Sequence, residues 1–124
     1  MKEYKFNKLQ LEWLAALESG EYSKGTGRLG DGFSHCCLGV ARRAVFHMPC
    51  MDDHYLSGFE TAQLDLRERC GELGEPAEVY GRECPSLAEI NDATTWNFFQ
   101  IADYIRSHPW NVFKGRNQQT DNQN

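Results

Sequence analysis

The chain has 124 residues, with thirteen basic and eighteen acidic side chains, a formal net charge of −5, and 40% hydrophobic and 12% aromatic residues. This length fits one domain, which would bury roughly two-thirds of the surface that its unfolded chain exposes. The acidic balance has the wrong sign for general attraction to nucleic acid or to an anionic membrane, and no apolar run reaches the ~20 residues of a membrane span. We therefore expect no direct binding to nucleic acid and no membrane insertion.

The N-terminus has a charged start and no apolar stretch behind it of the kind that a secretory signal requires. We expect a cytoplasmic location. The cysteine count is five, an odd number, and thiols in a reducing cytosol usually stay reduced. We expect no structural disulfide and no cofactor.

The first predicted helix runs from Asn7 to Ser19, where apolar residues fall three or four positions apart. Asn7 can cap its start and Gly20 can end it. The four glycines between Tyr22 and Phe33 disfavour a helix, so we predict a small hairpin between Glu21 and Cys36 that turns at 30–32. A phosphate-binding loop is the alternative, but neither the P-loop order nor the dinucleotide spacing is present.

A second helical pattern begins at Cys36 and should close at Pro49. A third follows the capping-box pair Ser57 and Glu60, and its apolar positions are Phe59, Ala62, Leu66 and Cys70. After an acidic, glycine-containing loop, Ser86 and Glu89 repeat the capping-box spacing, and Thr94 or Thr95 should start a last helix that His108 and Pro109 stop.

These elements predict an α+β fold that is mostly helical, with three to four helices and one small β-hairpin. We place a single globular domain at 1–113 and a disordered polar tail at 114–124. The predicted core residues are Leu9, Trp13, Leu17, Cys37, Leu38, Ala41, Leu66, Phe98, Ala102 and Ile105.

Several segments together resemble small proteins of tailed bacteriophages and prophages, most of which have no assigned function. The segments are 13–17, 19–22, 25–29, Cys36-Cys37-Leu38-Gly39-Val40, Ser86-Leu87-Ala88-Glu89-Ile90-Asn91-Asp92 and 99–105. The double cysteine followed by Leu-Gly-Val is the most specific of them. The resemblance implies a phage origin and no catalytic activity. From the residues themselves, the pair Asn91 and Asp92 fits turn and capping preference better than catalysis.

Small phage proteins of this size are commonly accessory factors that bind and disable a host enzyme or an immune system, anti-CRISPR proteins among them. The leading hypothesis is therefore a non-catalytic accessory protein in the host cell. Its expected partner is a host protein such as a nucleic-acid enzyme of a defence system. An acidic face would suit the basic cleft of such an enzyme. The candidate binding residues are Asp52, Asp53, Glu72, Glu75, Glu78 and Glu83.

The alternative is a cysteine hydrolase or a small-ligand protein that uses the helix start at Cys36 and Cys37. A thiol in the first turn of a helix can have its pKa lowered by the free N–H groups and the helix dipole. The segment is loosely similar to the nucleophile segment of NlpC/P60 peptidases, with Cys36 in the nucleophile's place. The family's aspartate is missing, and neither His54 nor His108 is a convincing base.

A metal site is a further alternative, because His47, Cys50 and His54 are spaced three and four apart and His35 or Cys36 could complete a tetrahedral set. Pro49 interrupts any helix that would bring the three onto one face. The competing interpretation is a pair of surface histidines around a turn.

Overall fold

The computed structural model describes residues 3–25, 34–49, 56–70, 86–93, 96–116 and 118. Within these ranges the chain forms six helices and two short strands. In chain order they are α1 (Lys8–Glu18), β1 (Ser23–Lys24), β2 (Ser34–His35), α2 (Cys37–Ala44), α3 (Gly58–Leu64), α4 (Leu87–Ala93), α5 (Phe98–Ser107) and α6 (Pro109–Val112). The prediction of a mostly helical fold is confirmed, but the predicted number of three to four helices was wrong, because α4 and the short α6 are separate helices. None of the described helices has the length and apolar character needed to cross a bilayer.

Helix α1 begins and ends as predicted. Asn7 accepts the backbone N–H of Gln10 at 2.8 Å, and the Gln10 side chain accepts the backbone N–H of Asn7 at 2.9 Å, so the two residues form a capping box. Gly20 follows the helix with a φ of +79°, a conformation that glycine adopts without a steric penalty. The buried face consists of Gln10, Trp13, Leu14 and Leu17.

The predicted hairpin is not present among the described residues of its segment. Strand β1 pairs with β2 in parallel, with Ser23 opposite Ser34 and Lys24 opposite His35. A hairpin would require antiparallel strands joined by a tight turn, whereas a parallel pair needs a longer crossover. The proposed turn at 30–32 lies outside the described residues.

Helix α2 ends before the residue at which the sequence predicted its end. Its last residue is Ala44, and the chain then reaches His47, which has a φ of +57°. An L-residue in the left-handed region cannot continue a right-handed helix. Pro49 therefore lies beyond a helix that has already ended.

Helix α3 has the predicted capping box between Ser57 and Glu60 but a different buried face. It ends at Leu64 because Asp65 adopts a left-handed conformation with φ +59°. The predicted apolar positions assumed a helix that continued to Cys70. The buried residues of α3 are instead Glu60 and Leu64, and Phe59 is 69% exposed.

The last three helices also differ in detail from the prediction. Ser86 and Glu89 exchange hydrogen bonds of 2.9 and 3.1 Å at the start of α4, which confirms the predicted capping box. Helix α5 begins at Phe98, capped by Asn97, so neither Thr94 nor Thr95 starts it. Its end before Pro109 is confirmed. The proline then opens the short α6, where its missing N–H costs nothing.

One core lies beneath these helices, and α1 packs against α2, α3 and α5. Nine of the ten predicted core residues are buried, and Leu9 packs partly buried against them. Gln10 is also fully buried, and its side-chain amide donates to the carbonyl oxygen of Leu64 at 2.9 Å. This bond satisfies a carbonyl that the end of α3 would otherwise leave open.

Residues 65–67 pair with the C-terminal segment of the chain. We call residues 65–67, 112–116 and 118 together the terminal seam. Leu66 and Phe113 form an antiparallel bridge, and the backbone N–H of Arg67 donates to the Val112 carbonyl at 2.9 Å. The side chain of Gln118 accepts from the backbone N–H of Lys5 at 2.7 Å and donates to its carbonyl at 2.5 Å. Packed structure thus continues past residue 113, where we placed the domain end.

The C-terminal segment also contains a glycine that its packing requires. Gly115 has a φ of +78°, and a β-carbon there would lie 2.5 Å from the Trp110 ring. Any residue larger than glycine would fit this contact only if the ring shifted. The ring in turn lies edge-on to Tyr4, with centroids 5.1 Å apart.

Candidate functional site

Three segments that are far apart along the chain meet at one buried side chain, that of Asn91 in α4. Its Oδ1 accepts the backbone N–H of Cys37 at 3.0 Å, and its Nδ2 donates to the Gly25 carbonyl at 3.0 Å. The same Nδ2 donates to Asp92 at 3.0 Å. Asn91 is 0% exposed, so these bonds replace water completely. We call Asn91, Cys37 and Gly25 the Asn91 node.

The node is linked to the middle of the core through Trp13. The indole Nε1 donates to the Cys37 carbonyl oxygen at 2.9 Å, and Trp13 is itself 0% exposed. Buried indole nitrogens need such a partner. Cys37 is therefore held by both of its backbone polar groups, one through α4 and one through α1.

The Cys37 thiol lies in surroundings that disfavour a thiolate. Burial raises its pKa well above the ordinary cysteine value, and the charges of Cys36 and Cys70 raise it further. The sulfur donates to the carbonyl oxygen of Leu87 at 4.0 Å, a partner that takes no proton. The proposal of a helix-activated nucleophile at Cys37 is therefore opposed by its environment.

Cys36 occupies the N-cap position of α2, and its side chain makes no capping hydrogen bond. It is 3% exposed. The histidine beside it in sequence, His35, is also buried and packs its ring edge-on against Tyr22, with centroids 5.4 Å apart. A nucleophilic mechanism needs a base within hydrogen-bonding distance of the thiol, and this packing positions the imidazole against an aromatic ring.

Cys36 and Cys70 both line a half-open cavity of about 780 Å³ between α3, α4 and the terminal seam. Cys37 does not line it. Each of the three cysteines is a thiol rather than half of a disulfide. Sequence patterns do not predict this cavity, because its walls come from segments that are far apart along the chain.

Of the three spaced ligands of the proposed metal site, only His47 falls within the described residues, where its side chain is exposed. His35 and Cys36, either of which was to complete the set, are both buried. Cys50 and His54 lie outside them. In the part of the chain that the structure describes, no three histidine, cysteine or carboxylate side chains are grouped to hold a metal ion. The six candidate acidic binding residues, Asp52, Asp53, Glu72, Glu75, Glu78 and Glu83, also lie outside the described residues.

Two exposed phenylalanines are functional candidates that the sequence interpretation missed. Phe59 is 69% exposed and Phe99 is 56% exposed, and each is the second residue of its helix. Capping boxes hold both helix starts, through Ser57 in α3 and Asn97 in α5. The usable signal was the capping box itself, which shows where each helix begins and so places Phe59 and Phe99 in the first turn.

A family model described as a domain of unknown function, DUF8296, matches residues 6–48. That span covers α1, both strands and α2, about a third of the chain, and leaves out Asn91 and the cavity walls from α3 and α4. No curated protein and no solved structure matches the chain. The chain is thus similar to this family over its first elements, and the match assigns no activity.

Proposed function

We propose that this protein is a phage-encoded accessory factor that binds a host protein and inhibits it without catalysis. The proposed target is a defence system of the CRISPR-Cas type. The phage origin rests on the sequence resemblance of the double-cysteine segment and of 86–92. The observation that carries the binding function is the rigid exposure of Phe59 and Phe99.

Both phenylalanines have the properties of contact residues at protein interfaces. An aromatic side chain buries a large area on binding and has only two rotatable side-chain bonds to fix. Reciprocal hydrogen bonds of 2.8 to 3.1 Å fix the helix starts on which Phe59 and Phe99 lie. The backbone at each position is therefore ordered before a partner arrives, which lowers the entropic cost of binding.

The cysteine alternative has weaker support. Its chemistry needs a thiolate, and burial raises the pKa of Cys37. The six acidic residues remain part of the proposal as a second contact that would bring an acidic protein to a basic cleft. They add to the phenylalanine contacts, because complementary charge mainly raises the association rate whereas buried aromatic contacts slow dissociation.

The test is a phage infection of bacteria that carry a defined CRISPR-Cas system and express the chain. We expect plaque formation by a targeted phage to rise towards the level of an untargeted one, and the purified chain to co-elute with the purified effector complex. Phe59→Ser combined with Phe99→Ser should weaken that binding at least about tenfold, because one aromatic contact residue is commonly worth more than ~1.4 kcal/mol.

The matched control is Gln63→Ser, which changes an exposed residue of α3. It should bind as the unchanged chain does. Thermal unfolding must show that all variants are folded. A folded chain that neither restores plaques nor co-elutes with the effector would contradict the proposal, and so would a double variant that binds as tightly as Gln63→Ser.

A further inference from the structure

The cavity between α3, α4 and the terminal seam has a lining suited to a small molecule. Its volume of about 780 Å³ lies within the range of ~300 to 1,000 Å³ that small-molecule sites occupy. Its apolar lining comes from four separate parts of the fold. The larger apolar residues are Leu38, Leu56, Leu66, Leu87 and Val112.

The polar residues of the lining carry three positive and three negative charges, and they differ in how they are bound. Glu89 pairs with Arg69 at 3.9 Å and accepts hydrogen bonds at the start of α4, and Asp92 accepts from Asn91. The remaining charged residues of the lining are Arg67, Glu68 and Lys114. These three residues alone have a net charge of +1, whereas Asp92 keeps its negative charge, so the lining as a whole is neutral and its unpaired positive groups are concentrated at Arg67 and Lys114.

Arg67 is anchored at the cavity without using its whole guanidinium group. Its Nε donates to the carbonyl oxygens of Trp110 and Phe113, both at 3.0 Å. These bonds hold the side chain against the terminal seam. They do not use its two terminal nitrogens, which form the planar fork that recognises carboxylates.

We propose that this cavity binds an apolar monocarboxylate of the fatty-acid type. The hydrocarbon chain lies against the leucines and Val112, and the carboxylate lies beside Arg67 and Lys114. This site is separate from the exposed phenylalanines, so it goes beyond the proposed inhibitor function. The failure of either one leaves the other standing.

Two cysteines of the lining provide a direct measure of occupancy. Cys36 and Cys70 should be alkylated by iodoacetamide more slowly when a ligand fills the cavity, and peptide mass spectrometry reads each site separately. With dodecanoate at ten times its Kd, we expect the alkylation rate of both to fall about tenfold, because only about one molecule in ten is unoccupied. Cys37 lies outside the lining and should react slowly in both conditions.

Isothermal titration calorimetry on the full chain measures the same binding without relying on thiol reactivity. Dodecanoate should bind with a stoichiometry of one. Dodecanol has the same hydrocarbon chain without the charge, and it should bind at least about fivefold more weakly, because a charge-assisted hydrogen bond contributes ~1 kcal/mol or more. Lys114→Gln should weaken dodecanoate binding and leave dodecanol binding unchanged.

Two neighbouring residues of α3 give a matched pair of variants. Thr61 lines the cavity and is half-buried, whereas Ala62 is exposed and does not line it. Thr61→Trp should place a large ring in the cavity and weaken dodecanoate binding, and Ala62→Trp should leave it unchanged. Ala88→Phe, in the lining from α4, replaces Thr61→Trp if that variant does not fold.

The proposal is overturned if calorimetry detects no dodecanoate binding to the folded chain. It is also overturned if Thr61→Trp and Ala88→Phe, both folded, bind dodecanoate as Ala62→Trp does. Equal affinity for dodecanoate and dodecanol would overturn the assignment of the carboxylate to Arg67 and Lys114.

Discussion

The Asn91 node and the terminal seam both join distant parts of the chain, but they do so with different chemistry. At the node a neutral amide that is 0% exposed bonds to residues 54 and 66 positions away. At the seam a carboxylate, Asp65, bonds Arg116, whose side chain is 59% exposed. A buried amide has no water to replace a lost partner, whereas at the seam the buried carboxylate of Asp65 bonds an arginine that stays in water, and the solvent around Arg116 screens the pair. The node should therefore dominate stability.

The largest expected effect comes from Asn91→Leu. The substitution removes both the acceptor for the Cys37 N–H and the donor to the Gly25 carbonyl, and it leaves one buried and one half-buried backbone group without those bonds. We expect a loss of about 3 kcal/mol in the free energy of unfolding, since each such group costs ~1 to 3 kcal/mol. Urea denaturation followed by circular dichroism measures it.

Gln63→Leu is the matched control for that experiment, because it makes a similar polar-to-leucine change at an exposed position of α3. Its effect should stay within about 0.5 kcal/mol. Raising the salt concentration should leave the Asn91→Leu loss unchanged, because no ion pair is removed. A loss no larger than that of the control would mean that the node does not hold the fold together.

A smaller effect is expected at the seam from Asp65→Asn. Asparagine tolerates the left-handed conformation of this position, so the substitution removes the charge without adding backbone strain. The carboxylate accepts the Arg116 side chain at 2.6 Å and the Arg116 backbone N–H at 2.9 Å. We expect a loss of about 1 kcal/mol in the free energy of unfolding, measured by urea denaturation at low salt.

Salt distinguishes the seam from the node. The Asp65→Asn loss should shrink at about 1 M salt, where the Debye length is only ~3 Å. Arg116→Gln removes the partner of the same pair and should show the same salt dependence. An Asp65→Asn loss that stays constant with salt would show that the ion pair is not its cause. No loss at all would show that the backbone bonds hold the seam, among them that from Lys114 N–H to the Asp65 carbonyl at 2.8 Å.

The sequence predicted features whose causes are local. Three helices begin with a capping residue that bonds a partner three positions later, so the pattern can be recognised within four consecutive residues. The capping residues are Asn7, Ser57 and Ser86. The buried positions of α1 and α5 follow from helical periodicity, which also made most of the core predictable. The parallel strand pairing was not predictable in this way, because it depends on contacts across an intervening segment.

The predictions that were wrong concern features that depend on single residues or on contacts between distant segments. One left-handed residue, Asp65, ended α3 at Leu64, so the buried face predicted for a longer helix was wrong and Phe59 is exposed. Asn91 was interpreted as a turn or capping residue, yet it lies inside α4, and its partners come from two other segments of the chain. No periodicity in one sequence reveals such partners. The cavity escaped prediction for the same reason.

The smallest expected effect tests the link between α1 and α5. Arg106 donates to both carboxylate oxygens of Glu18, at 2.7 and 2.9 Å, and this hydrogen bonding lowers the pKa of Glu18. A carboxylate with a lowered pKa stabilises the fold above its unfolded-state pKa, and this contribution is lost as the pH falls through the folded-state value. Glu18→Gln should therefore destabilise the chain at neutral pH and not at about pH 2, below the ordinary range for glutamate. Both side chains are at least a third exposed, so solvent screening keeps the loss below about 1 kcal/mol.

Glu21→Gln, at an exposed carboxylate outside the pair, should show no such difference between the two pH values. An equal loss from Glu18→Gln at both pH values would mean that the side chain acts through packing rather than through its charge.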